Sequence, residues 1–141
     1  MEEILEFKHL TKYKHMKPRD VAIWDRFIDA FPLTYQDVRY DVLVGDPPPF
    51  NPLMDDGEDW DQDKLYRLKI DVVGYDGEKL DIIEIKPSAG PSTIGQVKAY
   101  KELFVRDEQP QIPVHMVIVT DEERPNMRYL CQQEGVRLVV V

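Results

Sequence analysis

Two carboxylates and a lysine interrupt apolar segments near the middle of the chain. Asp71 lies between an isoleucine and two valines, and Glu84 and Lys86 alternate with isoleucines. Because side chains alternate between the faces of a strand, Glu84 and Lys86 share one face. Burying unpaired carboxylates is costly, and a divalent cation would offset that cost. Oxygen ligands favour Mg²⁺ or Mn²⁺ over zinc, and a lysine beside such a cation can orient a water nucleophile. This chemistry is metal-assisted phosphodiester hydrolysis.

The turn between the two apolar segments sets the distance between the carboxylates. The Asp-Gly pair at 76–77 is a hairpin signal, and a two-residue turn there places Asp71 opposite Ile82 and diagonal to Glu84. Diagonal Cα atoms lie roughly 7–8 Å apart, a distance that two carboxylates can bridge through a shared cation. The alternative is a structural ion pair between Asp71 and a neighbouring lysine at an exposed edge.

Two predicted helices carry further polar residues to this region. Gln96 and Tyr100 lie four residues apart and therefore on one helix face, within a mainly apolar stripe. On the first predicted helix, Asp25 borders the apolar face as a candidate outer metal ligand acting through water, whereas Asp20 is interpreted as a charge at the helix end. The alternatives are a solvated Asp25, a Gln96 in water at the edge of the stripe and a Tyr100 in ordinary core.

Hydrophobic periodicity predicts the elements that position these residues. The expected order is helix 18–31, strand 38–45, strand 65–75, strand 78–86, helix 92–105, strand 114–120, helix 123–134 and strand 136–141. Strand–helix–strand units require parallel neighbours, whereas the hairpin at 76–77 requires an antiparallel pair. We therefore predict an α/β fold with a mixed central sheet flanked by helices.

Length and charge indicate one domain with an acidic insertion. The 141 residues suit a single domain over 1–141, with an N-terminal extension at 1–17 and a Pro-rich loop at 46–64. The chain has 18 Lys and Arg against 27 Asp and Glu, a net charge of −9. Six acids between positions 55 and 63 contribute −6 of it. The acidity is thus largely one loop, and it does not exclude a nucleic-acid substrate.

Several classes of protein are excluded by composition. The one cysteine, Cys131, excludes an internal disulfide, a cysteine-based zinc site and a four-cysteine iron–sulfur cluster. The three histidines show no metal-ligand spacing. Apolar runs fall far short of the roughly 18 residues of a membrane span, and the acidic start lacks the basic and apolar regions of a signal peptide. We expect a protein of the reducing cytoplasm that has no membrane partner.

The order Asp71, Glu84-Ile85-Lys86 and Gln96-x-x-x-Tyr100 resembles the PD-(D/E)XK nuclease superfamily. The Gln-x-x-x-Tyr element is similar to that of its RecB-like branch. The resemblance covers the core from the first helix to the strand at 114, and the order of elements agrees. It implies a restriction-endonuclease-like α-β-β-β-α-β core, with an added C-terminal α-β unit, a Mg²⁺- or Mn²⁺-dependent nuclease site and DNA as the usual substrate.

The resemblance also implies roles for individual residues. Asp71, Glu84 and Ile85 are implied as metal ligands. Ile85 would bind the metal through its main-chain oxygen. Lys86 positions the attacking water, and Asp25 contributes from the first helix. Contacts to the substrate are implied for Gln96 and Tyr100, and Lys98 on the same helix is a candidate for the DNA backbone. Asp71 is not preceded by the proline that is common in the superfamily, and the cysteine cluster of its iron–sulfur members is absent.

Three functions are consistent with these observations. The first is a metal-dependent deoxyribonuclease acting in DNA repair, recombination or the processing of mobile-element or phage DNA. The second is an inactive nuclease-fold structural or adaptor protein, and the third is an acidic binding module that uses the loop at 55–63. DNA contact requires cations, which a basic stretch at 8–19 supplies, although a solvated basic face is the alternative. With few cations overall, we expect a protein partner or a homodimer to help deliver the domain.

Overall fold

The computed structural model describes residues 2–47 and 67–141, which form a mixed six-stranded sheet with three helices. The elements are β1 Leu5–Glu6, α1 Pro18–Ala30, β2 Asp37–Val44, β3 Leu68–Tyr75, β4 Leu80–Ile85, α2 Pro91–Glu108, β5 Val114–Thr120, α3 Met127–Gln133 and β6 Val136–Val140. The strands lie in the sheet in chain order, antiparallel from β1 to β4 and parallel from β4 to β6. The predicted α/β class with a mixed sheet is confirmed. Most of the acidic insertion predicted at 46–64 lies outside the described residues.

The first helix forms where its sequence predicts it. Pro18 occupies the first position, where its missing N–H has no partner to lose, and the Asp20 carboxylate accepts the Lys17 N–H at 3.2 Å. The helix ends at Ala30, two residues before Pro32. Its buried face includes Trp24, whose ring stacks on the ring of Phe27 at 5.1 Å between centroids. Helix α1 is therefore anchored on the sheet by its aromatic stripe.

Each face of the sheet carries its own hydrophobic core. The α1 core joins that helix to residues of four strands, among them Val38, Val72, Ile83 and Val117. The α2 core joins α2 and α3 to the other face, with buried residues that include Ile70, Ile82, Val97, Phe104 and Ile118. Within the described ranges, no helix is long and apolar enough to cross a bilayer.

The two C-terminal helices differ from their predicted bounds. Helix α2 begins at Pro91, with Gly90 before it, and continues to Glu108, so Ser92 lies inside the helix and does not cap it. Helix α3 begins only at Met127, four residues later than predicted. The reason is local, because Pro125 disfavours helical geometry in the residue before it and Asn126 is left-handed at φ 71°.

The predicted register of the β3–β4 hairpin is wrong by two residues. Tyr75 pairs with Leu80, because the turn spans four residues. The Asp76 side chain accepts the N–H groups of Glu78 and Lys79 at 2.9 and 2.8 Å, which favours the wider turn. A shift by two keeps every side chain on its face. It moves Asp71 from a diagonal position to one directly opposite Glu84 when the register is continued.

A second polar cluster lies at the far end of the same hairpin. Asp81 is 1% exposed, and its carboxylate accepts the Tyr35 hydroxyl at 2.6 Å and the Lys79 ammonium at 2.8 Å. Burial and the Asp81 charge raise the pKa of Tyr35 well above its usual range. The Tyr35 ring also fills the space that a side chain at Gly74 would need. The cluster is internally satisfied and acts as a structural tie.

Tyr35→Phe is expected to lower the free energy of unfolding by about 1.5–3 kcal/mol, because it removes a hydrogen bond to a buried charge. Urea denaturation measures the change. The matched control is Tyr129→Phe, at a residue that is 64% exposed, which should stay within about 0.5 kcal/mol of the unaltered chain. Equal unfolding midpoints for the two variants would contradict a structural role for the Tyr35 hydroxyl.

Candidate active site

The sheet splits between β3 and β4 at the predicted carboxylates. The neighbouring ladders continue to the end of β2 on one side and to the end of β4 on the other. The β3–β4 ladder, in contrast, ends at the pair Val72–Ile83. Beyond it, the Asp71 carboxylate accepts the Ile85 N–H at 2.8 Å, where a main-chain acceptor of β3 would otherwise lie. Asp71 on β3 and Glu84 on β4 lie at this split, on its two sides.

Glu84 is the buried member of the carboxylate pair. It is 5% exposed, its carboxyl group lies within hydrogen-bonding reach of Asp71, and its Oε2 atom has no hydrogen-bond partner among the described residues. Burial and the Asp71 carboxyl raise the pKa of Glu84 far above its usual range. Burial likewise raises the pKa of Asp71. Without a cation, burial therefore favours a proton on the pair over two negative charges.

Lys86 supplies a positive charge next to this pair without touching it. Its side chain is exposed, and it forms no salt bridge within 4.0 Å in the part of the chain that the structure describes. Its charge opposes the effect of burial by lowering the pKa of both Asp71 and Glu84. The exposed Lys86 ammonium is therefore within electrostatic range of the carboxyls.

The main chain of Ile85 faces the split. Its N–H is bonded to Asp71, whereas the N–H of the next residue, Lys86, bonds to Val119 on β5. In a strand, the N–H and C=O of one residue point to the same side. The Ile85 carbonyl consequently points toward β3, into the split, as a ligand would.

Gln96 and Tyr100 reach the site from α2. The Gln96 side-chain amide donates to the Tyr100 hydroxyl at 2.8 Å, and Tyr100 is 7% exposed whereas Gln96 is exposed. Burial raises the pKa of Tyr100, and the negative charges of Glu84 and Asp71 add to that effect. The Gln96 amide therefore lies in solvent, while the Tyr100 hydroxyl is within electrostatic range of the carboxyls. Both alternatives hold in part, because Gln96 does lie in water and the Tyr100 ring does belong to the core.

Lys98 is not brought to the carboxylates. It lies on the same helix, but its ammonium pairs with Glu134, which follows α3, at 2.5 Å. Two residues along a helix turn a side chain through about 200°, which places Lys98 on a different face from Gln96 and Tyr100.

Asp20 lies within electrostatic range of the carboxylates, whereas Asp25 contacts other residues. The Asp25 carboxylate accepts the Tyr13 hydroxyl at 3.3 Å and lies 3.4 Å from His9. Burial and, for Glu84, the Asp71 carboxyl raise the pKa of the pair, and the Asp20 charge adds to both shifts. Five residues along a helix correspond to about 7.5 Å and about 140° of rotation, so the two aspartates differ in both height and direction.

A bridge fixes the N-terminal end of α1 over the site. The Asp121 carboxylate, just after β5, accepts the Arg19 guanidinium at 2.8 Å and the Ser88 N–H at 2.8 Å. Arg19 precedes Asp20, and Ser88 lies two residues after Lys86. Asp121 therefore holds together the two segments that carry Asp20 and Lys86, which the sequence analysis did not foresee.

Asp41 is a further carboxylate that the sequence analysis missed. The β2–β3 register places it opposite Asp71. Its φ is 54°, in the left-handed region, which is unusual within a strand although aspartate tolerates it better than most residues. Tyr40 packs in the α1 core and Val42 in the α2 core, so the strand changes faces at Asp41. The available signal was an acid in the middle of a predicted strand.

In the described ranges 2–47 and 67–141, no group of three or more His, Cys, Asp or Glu is close enough to hold a metal ion. The potential ligands at the split are two carboxyl groups and one main-chain carbonyl. No family model, curated protein or solved structure matches the chain.

Proposed function

We propose that the chain is a Mg²⁺- or Mn²⁺-dependent nuclease of the PD-(D/E)XK type, which hydrolyses DNA phosphodiester bonds at Asp71 and Glu84. The observation that carries the proposal is the buried Glu84 carboxyl beside Asp71 at the split in the sheet, whose Oε2 has no hydrogen-bond partner within residues 2–47 and 67–141. Buried polar atoms are nearly always satisfied, and each exception requires a reason. A bound cation would supply it.

The residues fit a hard cation. Mg²⁺ is commonly bound by one or two carboxylates and keeps several of its waters, so a third carboxylate is not required. Asp71, Glu84 and the Ile85 carbonyl would hold it. When bound, it supplies Lewis-acid stabilisation of charge on the phosphate oxygens.

The other residues of the site would act on water and on the phosphate. The exposed Lys86 ammonium would hold a water in line for attack and balance developing negative charge. The Gln96–Tyr100 pair would orient the substrate at the rim through its exposed amide. Asp20 would accept hydrogen bonds from waters on the α1 side and strengthen the negative potential of the site.

The topology supports the same proposal. Helix α1 is followed by the antiparallel strands β2, β3 and β4, then by α2 and the parallel strand β5. This order agrees with the α-β-β-β-α-β order that the proposal expects for a restriction-endonuclease-like core, and α3 and β6 would be the added C-terminal unit. Roles in DNA repair, recombination or mobile-element processing in the cytoplasm, and delivery by a partner or homodimer, belong to this proposal.

One assay tests the proposal. The chain is incubated with labelled duplex, nicked and single-stranded DNA in the presence of Mg²⁺, Mn²⁺ or EDTA. We expect cleavage of at least one substrate with either metal and none with EDTA. Absence of cleavage under all conditions, with no Mn²⁺ bound in a direct titration, would overturn the proposal and favour the inactive structural or adaptor protein.

Asp20→Asn is expected to lower cleavage by about 10–100-fold, which is typical of residues that act through water or through a ligand. Asparagine can still accept the Lys17 N–H, so the end of the helix stays capped. The matched control is Asp25→Asn on the same helix, which should change the rate by less than about threefold, since asparagine can still accept the Tyr13 hydroxyl and Asp25 contacts Tyr13 and His9, not the carboxylates. Single-turnover rates measure both. A larger loss for Asp25→Asn than for Asp20→Asn would reverse the assignment.

A further inference from the structure

The loop at 86–90, between β4 and α2, turns away from the site directly after Lys86. Pro87 comes next, and Ser88 has a φ of 45°, in the left-handed region that serine rarely adopts. Ala89 is then buried in the α2 core. A left-handed serine persists only where its surroundings require it. The place of Lys86 at the end of β4 therefore depends on the contacts that hold this loop.

Three consecutive residues at the end of β5 each accept one main-chain N–H of the loop. The pairs, with the acceptor first, are Val119 O and Lys86 at 3.0 Å, Thr120 Oγ1 and Ala89 at 3.0 Å, and Asp121 Oδ1 and Ser88 at 2.8 Å. Asp121 is the acceptor that meets the left-handed residue. Its carboxylate consequently stabilises the turn that separates Lys86 from the buried Ala89.

Asp121 has a second partner, which is less firmly held. Its other oxygen accepts the Arg19 guanidinium at 2.8 Å. Together, Arg19 and the Ser88 N–H lower the pKa of Asp121, so this carboxylate is ionised at neutral pH. The Arg19 side chain is 67% exposed, and water can replace a contact of this kind. The Ser88 N–H, in contrast, is a main-chain donor of the loop itself.

The Lys86 ammonium depends on its main chain for its position. Within residues 2–47 and 67–141, it forms no ion pair shorter than 4.0 Å. A lysine stem is flexible, so an ammonium without a partner is located mainly by its Cα atom and by the direction of the chain. Misplacing a reacting group by about 1 Å can cost about 10²-fold in rate. A shift of the loop would therefore act on Lys86 first.

We propose that Asp121 is a positioning residue, which keeps the Lys86 ammonium within range of Asp71 and Glu84 by holding the left-handed Ser88. This inference rests on the proposed nuclease function, in which Lys86 acts on the water and the phosphate. Asp121 acts through the loop and not on the reacting atoms. If its role were only to stabilise the fold, the effect of removing it would not depend on whether Lys86 is present.

A double-mutant cycle tests this dependence on Lys86. Single-turnover cleavage of DNA with Mn²⁺ is measured for Asp121→Ala in the unaltered chain and in Lys86→Ala. We expect a loss of about 10–100-fold in the unaltered chain. In Lys86→Ala the further loss should be less than about threefold, because the group that Asp121 positions is gone. Equal losses in the two backgrounds would overturn the positioning role.

Two variants separate the loop contact from other effects of the substitution. Glu123→Ala removes another carboxylate of the segment between β5 and α3, one that accepts Arg128 at 2.6 Å, and it should leave the rate within about twofold. Arg19→Gln removes the exposed partner of Asp121 and leaves the contact with Ser88, so the rate should fall by less than about threefold. A loss with Arg19→Gln as large as that with Asp121→Ala would overturn the assignment to the loop.

Asp121→Asn covers the case in which Asp121→Ala does not fold. Asparagine has the same size and keeps an oxygen that can accept the Ser88 N–H. We expect it to lose less than about threefold in rate. A folded Asp121→Asn variant that loses as much as Lys86→Ala would overturn the role of this hydrogen bond.

Hydrogen exchange of the Ser88 amide tests the contact without DNA or metal. In Asp121→Ala, this amide should exchange at least about tenfold faster than in the unaltered chain, whereas the amides of β5 should keep their rates. Unchanged exchange at Ser88 would overturn the proposal even where cleavage is intact. Absence of cleavage by the unaltered chain would overturn the nuclease function and the positioning role with it, whereas cleavage with equal losses in both backgrounds would overturn the positioning role alone.

Discussion

Glu84→Gln is expected to lower Mg²⁺-dependent DNA cleavage by at least about 10³-fold, the upper range for removing one electrostatic group from an active site. The substitution keeps the size and hydrogen-bonding capacity of the side chain but removes the charge that would bind the cation. Because Glu84 is 5% exposed and touches Asp71, no neighbouring side chain can take its place. Single-turnover cleavage with excess protein measures the loss without contributions from product release.

The matched control for this prediction is Glu78→Gln in the turn of the same hairpin. Glu78 is exposed and lies at the opposite end of β4 from Glu84. Its substitution should leave the cleavage rate within about twofold, as for an ordinary surface position. If Glu84→Gln retained a tenth or more of the activity, the carboxylate pair would not be the catalytic centre, and a cleavage activity of the chain would have to reside elsewhere.

The elements of the fold could be predicted because their signals are local. Pro18 and Pro32 bracket α1, and the apolar strand at 114–120 was predicted with its observed bounds. The hairpin register could not be predicted, because Asp-Gly is compatible with turns of different lengths. The structure selects the wider one through the Asp76 side chain, which accepts two main-chain N–H groups. The predicted face of each side chain in the hairpin is nevertheless correct, because the register is shifted by an even number of residues.

The two central carboxylates of the site could be predicted from the sequence, but two further carboxylates near them could not. Asp71 and Glu84 were found by their spacing in apolar strands, and their proximity depends only on adjacent strands. Asp20 and Asp41 depend on long-range geometry. The segment that carries Asp20 is tied to the segment that carries Lys86 by the Asp121 side chain. Asp41 is a left-handed residue within a strand, where the strand changes faces. No periodic pattern encodes either feature.

The metal-free protein is expected to lose stability as the pH rises from about 5 to 8, and Glu84→Gln should remove much of this loss. The folded pKa of Glu84 is raised above its ordinary value of 4.5 by burial and by Asp71, so the folded state keeps a proton that the unfolded state releases. Where the unfolded state binds fewer protons, the free energy of unfolding falls with increasing pH. The contribution of Glu84 is present below its unfolded pKa and is lost progressively toward its raised folded pKa. Urea denaturation in EDTA at several pH values measures the slope for both chains.

Mg²⁺ should reverse this loss, because a cation takes the place of the proton between Asp71 and Glu84. At a Mg²⁺ concentration about 10–100 times the dissociation constant, the expected stabilisation is about 1.4–2.7 kcal/mol. At one fixed Mg²⁺ concentration the stabilisation should be greater at pH 8 than at pH 6, since fewer protons compete with Mg²⁺ for the carboxylates at the higher pH. Glu78→Gln should respond to Mg²⁺ as the unaltered chain does, and Glu84→Gln should not respond. Equal stabilisation of Glu84→Gln would place the cation away from the split, whereas a pH slope unaffected by Glu84→Gln would assign the shared proton to another group.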